Sequence, residues 1–502
     1  MIVLTTFNAK YIHASFGLRY LYANLGELQA QTKLVEFTIH TRPIDAAEEI
    51  LALQPTIIGL GIYIWNVRET LEFVEIIRQL APEVVVVLGG PEVSHETAGQ
   101  PLVELADYTI TGEADHAFRD LCQTLLRGEK PLTKIIHAAP PEPDSLQFPY
   151  AYYSDDDLKN RVVYVEASRG CPFRCEFCLS SLDKGVRTFD TAEFLNAMEG
   201  LWNRGLRQFK FVDRTFNIRV DFSTAILEFF LERLDENTFI HFEMIPDRLP
   251  DELRDIVAKF PAGALQFEVG IQTFDAPTAA RISRRQNYEK LADNFTFLRD
   301  HTGVHVHADL IVGLPGETLE SFGQGFDRLV ALGPQEIQVG ILKRLRGTPI
   351  IRHDDAFEVR WSPTPPYEIL SNSVLDFPTM QQLRRFSRYW DLVGNSGHFP
   401  STLPLLWSDG TPFQNFFAFS NWLHETAQTT HGISLKRLVE LLFQFLTEVR
   451  GIDADTVGLA LLADWRRGRR YDTPNALKPW ADQIQVTEPN DQRLPERQQR
   501  HL

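Results

Sequence analysis

Short apolar runs alternate with segments of helical period twice over between residue 1 and about residue 342, and this alternation constrains the fold more than any other feature. Strands separated by helices pair in parallel, so each series predicts a parallel sheet covered by helices. The first series places strands at Ile2–Thr5, Leu34–Ile39, Thr56–Gly61, Val84–Leu88 and Asp107–Ile110. It predicts a doubly wound sheet with ligands at the carboxyl ends of its strands. Gly59, Gly61, Gly89-Gly90-Pro91 and Gly112-Glu113 end or follow those strands, where a missing Cβ lets backbone approach a ligand. Tight strand-to-helix turns would explain the same spacing. There is no GxGxxG run, so a nicotinamide site is not supported.

A stretch rich in proline and aromatics, Ala138–Tyr153, breaks both periodicities and reads as a connection. The second series follows, with strands at Val162–Glu166, Gln208–Val212, Phe239–Met244, Leu265–Ile271, His305–Val312 and Glu336–Leu342. Six βα repeats predict a (β/α)6 partial TIM-type barrel with its chemistry at the C-terminal mouth of the strands. Beyond about Arg360 the strand signal gives way to helical candidates at Met380–Val393, Asn415–Thr430 and Ser434–Val449. The expected organisation is an α/β domain over 1–138, a linker over 139–158, a barrel over 159–355, a mainly helical region over 356–470 and a flexible tail over 471–502.

At 502 residues the chain has room for about three domains. The 67 acidic and 50 basic side chains leave a formal charge of −17, a field that disfavours nucleic acid as a partner. No apolar run approaches the ~20 residues of a membrane span. The opening MIVLTTFNAKYIH lacks the pattern of a secretory signal, so the chain reads as cytoplasmic.

Three of the four cysteines, Cys171, Cys175 and Cys178, fall within eight residues as CxxxCxxC, directly after the first strand of the second series. Three soft thiolates on one loop suit iron-sulfur or zinc. Zinc normally closes with a fourth ligand, and neither Cys122 nor a nearby histidine supplies one convincingly. A cubane on three cysteines leaves one iron open to chelate an amino acid's amino and carboxylate groups. A non-catalytic iron-sulfur or zinc protein remains the alternative of a different class.

With Phe177 just before the last cysteine, the motif resembles that of the radical S-adenosylmethionine (SAM) superfamily. The resemblance implies a 4Fe-4S cluster on Cys171, Cys175 and Cys178, and a SAM cleaved by one electron to a 5′-deoxyadenosyl radical. Phe267-Glu268-Val269-Gly270-Ile271-Gln272-Thr273 resembles the fourth-strand pattern of the branch containing coproporphyrinogen oxidases and methylthiotransferases, and Asp309 to Thr318 its fifth-strand motif. By that resemblance Arg284 reaches the methionyl carboxylate, and Gln272 and the Val312-Gly313 backbone contact ribose or adenine. Phe177 joins the SAM site, and Glu268 faces SAM or substrate. Many members carry Gly-Gly-Glu after the second strand, whereas this chain has Asp213 and Asn217 there. Those two side chains could face substrate or SAM, or Asp213 could simply cap a turn.

The first α/β domain resembles the cobalamin-binding domain of cobalamin-dependent radical enzymes, in its Gly61, Gly89-Gly90-Pro91 and Gly112-Glu113 turns and in Asn8, Tyr11, Ile12, His13 and Ser15 near the start. The usual DxHxxG motif is missing, because Asp115 and His116 are adjacent. The resemblance therefore implies cobalamin without a protein histidine on cobalt, with His13 in the pocket or core. The implied activity is methyl transfer to an unactivated carbon of a small molecule, with an electron donor such as flavodoxin or ferredoxin. Radical rearrangement or oxidative cyclisation of a tetrapyrrole-like substrate is the alternative. A methylthiotransferase would need a second cysteine set, and only Cys122 remains. The run RRFSRYWDLVGNSGHF, with Arg384, Arg385, Tyr389 and Trp390, resembles an uncharacterised extension of such proteins, either a pocket wall or the apolar face of a packed helix.

Overall fold

Ile2–Asn8 (β1) is buried at all seven positions, as expected of a central strand covered on both faces. In the computed structural model, which describes residues 1–183, 185–468 and 470–484, β1 pairs in parallel with β2 (Thr32–Thr38) and β3 (Ile57–Gly61). The parallel strands β4 (Val85–Gly89), β5 (Tyr108–Thr111) and β6 (Ile135–His137) complete a sheet of order β2-β1-β3-β4-β5-β6. Alternation along each strand divides the core. Val3, Phe7, Ile58 and Val86 pack on one face with Phe73; Ile2, Leu4, Ile57 and Val87 pack on the other with Phe118. The winding reverses between β1 and β3, so the crevice beyond their carboxyl ends is where such a sheet receives a ligand.

The chain divides into two units. The first holds this sheet within residues 1–214 and takes in the later segments 343–351 and 362–368. It also contains β7 (Val163–Val165), an antiparallel hairpin of β8 (Ser168–Cys171) and β9 (Gly185–Thr188), and β10 (Gln208–Phe211), which pairs in parallel with β7. The connection before β7 is tightly packed. Tyr150 and Tyr153 are buried, and the Tyr150 hydroxyl bonds the backbone of Glu166.

The second unit carries the parallel strands β11 (Phe239–Met244), β12 (Leu265–Gln272), β13 (His305–Val312) and β14 (Glu336–Ile341). Along β12, Leu265, Phe267, Val269 and Ile271 are buried, while Gln266, Glu268, Gly270 and Gln272 line the opposite, more open face. Glycine allows Gly333 the left-handed conformation that closes the helix Leu319–Leu332. A short antiparallel pair, β15 (Arg360–Trp361) and β16 (Ile369–Ser371), precedes a helical region. Its helices are Phe377–Val393, Pro412–Ala427, Leu435–Gln444 and Ala454–Arg467. Phe386 and Trp390 of the RRFSRYW run meet Phe326, Phe413 and Phe416 in an aromatic core of edge-on and tilted contacts.

The architecture is thus α/β, with an N-terminal six-stranded parallel sheet, a second set of parallel strands alternating with helices, and a helical C-terminal region. β6, the β8–β9 hairpin and β15–β16, two to four residues each, were too short for the sequence pattern to register. From residue 485 onward the expected tail lies outside the described residues; before it, Leu477 and Trp480 are buried, and Trp480 Nε1 donates to Asp455 Oδ1 at 2.9 Å. Among the described residues no helix is long and apolar enough to cross a membrane.

Candidate functional site

The β8 strand ends on Cys171, and a loop carries the chain through Cys175 to Cys178, where the Cys178 N–H donates to the Cys175 carbonyl at 3.1 Å. Cys175 is buried and the other two are half-buried. Burial pushes the Cys171 thiol up; the Phe173 backbone N–H pulls it down; the thiols of Cys178 and Cys175 push it up again. The three sulfurs therefore sense one another across one loop. Among the described residues, no three His, Cys, Asp or Glu side chains converge so as to hold a single metal ion.

Next to this loop, and within the same unit, lies a cavity of about 580 Å³, within the size range of small-ligand and cofactor sites. One side is formed by the strand-end residues Gly61, Gly89, Gly90, Pro91, Gly112 and Glu113. Another is formed by Arg169 and Gly170, which precede Cys171, and by Leu179 and Ser180, which follow Cys178. The glycines are not equivalent. At Gly89 an added Cβ would meet only Ile110 O, at 3.8 Å, and at Gly61 nothing nearer than 3.5 Å. Gly90 instead has φ +107, with the Ile62 carbonyl 2.5 Å from where a Cβ would lie. Gly90 is thus demanded by the backbone, whereas Gly61 and Gly89 leave room that a side chain would occupy.

A cluster of charge ties the cavity wall to the cysteine hairpin. Arg169 reaches Glu113 Oε2 at 2.8 Å and Asp115 Oδ2 at 2.9 Å, and its Nε donates to Glu166 Oε1 at 2.8 Å. Arg187 pairs with Glu113 as well. Burial works against the Arg169 charge, yet Glu166 and Asp115 more than offset it and raise its pKa. From β10, buried Asp213 accepts the Ala167 N–H at 3.0 Å and the Ser168 hydroxyl at 2.5 Å. Burial outweighs these bonds and pushes its carboxyl up to about 7. Sequence reasoning missed Arg169, Asp115 and Glu166. The one available signal was a basic residue beside the first cysteine with Glu166 three residues before it; its other acidic partners, Glu113 and Asp115, lie more than 50 residues away.

Asn8, Tyr11, His13 and Ser15 do not line this cavity. The Asn8 amide and the Ser15 N–H both donate to Glu36 Oε2 at 2.6 Å. Tyr11 donates to Asp156 at 2.9 Å, and His13 Nδ1 lies 2.7 Å from the Tyr164 hydroxyl. All four surround a buried network in which Arg19 and Arg161 each pair with Glu36 and Asp157. The histidine that does line the cavity is His95. His95 packs on Gly347 of the returning segment, where Arg346 pairs with Glu92 at 2.8 Å and Arg344 with Glu96 at 2.8 Å. His116 Nε2 lies 3.0 Å from Ser145 Oγ.

The other expected residues belong to the second unit, apart from Phe177, half-buried in the cysteine loop. Gln272 sits at a register shift at the end of β12 with φ +73. Arg284 donates to the Gly270 carbonyl and, at 3.2 Å, to that of Ile271, so it grips the strand end that carries Gln272. Asn217 is fully buried; both amide donors go to the carbonyls of Ile245 and Arg248, and its Oδ1 accepts the Ile245 N–H at 2.9 Å. Glu268 Oε2 is 2.9 Å from His241 Nε2. Asp309, on the neighbouring strand, is pushed well above the carboxylate range by burial and by Glu268 and Glu243, against the pull of Arg284. Buried Val312 ends β13, and Gly313 turns the chain away at φ +93.

Three family models match the chain: the radical SAM superfamily over residues 165–329, a B12 binding domain over 2–122, and a protein of unknown function, DUF4080, over 355–493. The chain therefore carries a radical SAM domain over residues 165–329. More particularly, it joins a B12-binding domain, a radical SAM domain and a DUF4080 region. It is 23% identical over 334 residues to 2-(S-pantetheinyl)-carbapenam-3-carboxylate methyltransferase of Streptantibioticus cattleyicolor, covering 58% of this chain and 48% of that protein. The same identity and length relate it to the cobalamin-dependent radical SAM methyltransferase TokK of Streptomyces tokunonensis, over 58% and 47%. The chain thus spans about half the length of these curated relatives. It shares its fold with the radical S-adenosylmethionine methyltransferase TsrM from Kitasatospora setae, solved with cobalamin and a 4Fe-4S cluster bound. That match has a TM-score of 0.59 and 17% identity over 72% of this chain and 78% of that one.

A radical SAM domain implies a 4Fe-4S cluster and SAM, and a B12-binding domain implies cobalamin. The residues present fit these groups. Three thiols grouped on one loop, near enough for Cys175 and Cys178 to push the Cys171 thiol up, form the soft donor set that a 4Fe-4S cluster takes. The room beside Gly61 and Gly89, in a cavity reached by the cysteine hairpin, suits a flat macrocycle pressed against backbone. In the second unit, Glu268 and Asp309 form an acidic pair on neighbouring strands, and a cationic ligand such as a sulfonium would favour the charged form that burial and Glu268 disfavour at Asp309.

Proposed function

We propose that the chain is a cobalamin-dependent radical SAM methyltransferase that acts on an unactivated carbon of a small molecule. The observation that carries this reading is the cavity in the first unit, whose wall combines the strand-end glycines of a B12-binding domain with residues flanking Cys171 and Cys178. When bound, a 4Fe-4S cluster, SAM and cobalamin would supply a 5′-deoxyadenosyl radical and a transferable methyl group.

Each group of residues then has a task. Cys171, Cys175 and Cys178 hold the cluster, and Phe177 covers it. Arg169 and Asp213 grip the two ends of Ser168-Arg169 and fix the direction in which the loop leaves β8. Gly61, Gly89, Gly90, Pro91, Gly112 and Glu113 receive the corrin. Arg284, Gln272, Val312 and Gly313 bind SAM, and Glu268 faces SAM or substrate. Asn217, with both amide donors committed to backbone, keeps the turn after β11 in place. The electron comes from a donor of the flavodoxin or ferredoxin class. The sequence bounds of 159 and 355 remain our proposed edges of the radical SAM region.

The deciding experiment is anaerobic reconstitution with iron, sulfide and cobalamin, followed by reduction in the presence of SAM. Methyl transfer requires S-adenosylhomocysteine together with 5′-deoxyadenosine. Production of 5′-deoxyadenosine without S-adenosylhomocysteine overturns the methyltransferase reading in favour of rearrangement or cyclisation. A fully loaded cluster that yields no 5′-deoxyadenosine overturns radical chemistry altogether.

A further inference from the structure

We propose that the DUF4080 region forms the back of the SAM-binding turn, with Asn372 as its positioning residue; this rests on the assignment of Val312 and Gly313 to SAM. Gly313 leaves β13 with φ +93, a conformation that glycine adopts readily and that needs support to stay fixed. Its Cα side is filled from the C-terminal region. A Cβ there would lie 2.7 Å from Ile369 Cγ2 and 3.5 Å from Met380 Cε. Its carbonyl accepts from Asn372 Nδ2 at 3.4 Å.

Asn372 is built to hold that direction. It is buried, and its Oδ1 accepts the N–H groups of Val374 at 3.0 Å and Leu375 at 2.8 Å. Its own N–H donates to the Leu375 carbonyl at 2.8 Å. The amide plane is thereby fixed, and Nδ2 points at Gly313.

The same region closes the neighbouring sheet edge. The Ile369 N–H donates to the Leu342 carbonyl at 2.9 Å, and the Leu342 N–H to that of Val312 at 3.0 Å, so the ladder runs from β13 into β16. Along β14, the Ser387 hydroxyl donates to the Val339 carbonyl at 2.5 Å. The Asn395 side chain takes both backbone groups of Ile337, at 2.8 and 2.9 Å. An unpaired strand edge would otherwise expose those groups. Residues 369–395 thus start against the turn after β13 and follow the edge of β14 back to its beginning. A region of unknown function has a location that fixes backbone assigned to the cosubstrate.

The test uses holoenzyme carrying cluster and cobalamin, and measures SAM affinity by equilibrium dialysis alongside the SAM-induced change in the reduced cluster's electron paramagnetic resonance. Asn372→Ala should weaken SAM binding about fivefold, as expected for one long neutral hydrogen bond, and Met380→Phe, which crowds the Gly313 turn, by at least as much. Both should leave cobalamin content and the cluster signal without SAM unchanged. Asn395→Ala, at the far end of β14, should lower thermal stability and leave SAM affinity alone. Wild-type affinity in both Asn372→Ala and Met380→Phe overturns the inference, as does an equal loss of SAM affinity in Asn395→Ala. Wild-type holoenzyme that does not bind SAM overturns the functional reading and this inference together.

Discussion

Replacing Arg169 by Met tests whether the charge cluster holds the cysteine hairpin against the cavity. The Arg169 side chain is only 12% exposed and meets three carboxylates at 2.8 to 2.9 Å. Removing it leaves Glu113 with Arg187, but Asp115 and Glu166 lose their guanidinium. Taking one partner from a buried network costs about 3 to 5 kcal/mol, because charge is left without compensation. For the roughly 200-residue first unit this corresponds to a fall in melting temperature of about 6 to 20 °C. The orphaned carboxylates can escape by taking up protons, and burial already pushes Glu166 upward, so the loss should be greater at pH 8 than at pH 5.5. Scanning calorimetry of the apoprotein at both values measures it. Retention of cobalamin after gel filtration reports on the cavity. Arg42→Met, where the side chain is 76% exposed and pairs with Asp45 on the surface, should leave the melting temperature nearly unchanged. An Arg169→Met protein that melts within about 2 °C of wild type at pH 8 and keeps its cobalamin would refute the reasoning.

Three further outcomes follow from individual residues. Alanine at Cys171, Cys175 or Cys178 should abolish the iron and acid-labile sulfide content of reconstituted protein while circular dichroism stays unchanged. Asp213 has a folded pKa of about 7 against the ordinary 3.8, so the fold favours its acid form. Its contribution is complete below about 3.8 and is lost as the pH rises through about 7. At about 1.4 kcal/mol per unit, Asp213→Asn should recover up to about 4 kcal/mol at pH 9 and almost nothing at pH 3.5, read from urea unfolding at both values. Gly89→Val should cut cobalamin retention at least tenfold with little change in melting temperature, because its Cβ enters open space. Gly90→Ala, whose Cβ would meet the Ile62 carbonyl, should lower stability in the same calorimetric assay.

The strands were legible because their physical signal is local. The apolar runs Phe239–Met244 and His305–Val312 coincide with β11 and β13 to the residue, and the helix Leu319–Leu332 begins and ends where its pattern does. The cysteine loop was legible for a similar reason, since CxxxCxxC is a chemical signal contained in eight residues. Contacts across long sequence distances left no such mark. Nothing near Glu92 signals that Arg346 returns from more than 250 residues away to pair with it. Asn8 and Ser15 stand in a motif-like run, yet their bonds go to Glu36, a partner defined only once β1 and β2 are in register.

The glycines show why a correct motif can still conceal its physics. Gly89 and Gly90 are adjacent and read identically in sequence, yet one borders free volume while the other is imposed by a carbonyl 2.5 Å from any Cβ. The two positions meet two separate demands, ligand space at Gly89 and backbone geometry at Gly90. The same division applies to the cysteine hairpin. Its three thiols define the chemistry, but Asp213 on one side and Arg169 on the other determine where β8 ends. Radical chemistry depends on that placement, because a reactive species must meet its substrate carbon at a fixed approach before side reactions intervene. Under the proposed function, loss of these buried charges would impair catalysis without removing a cofactor contact, and their partners are not paired in the sequence.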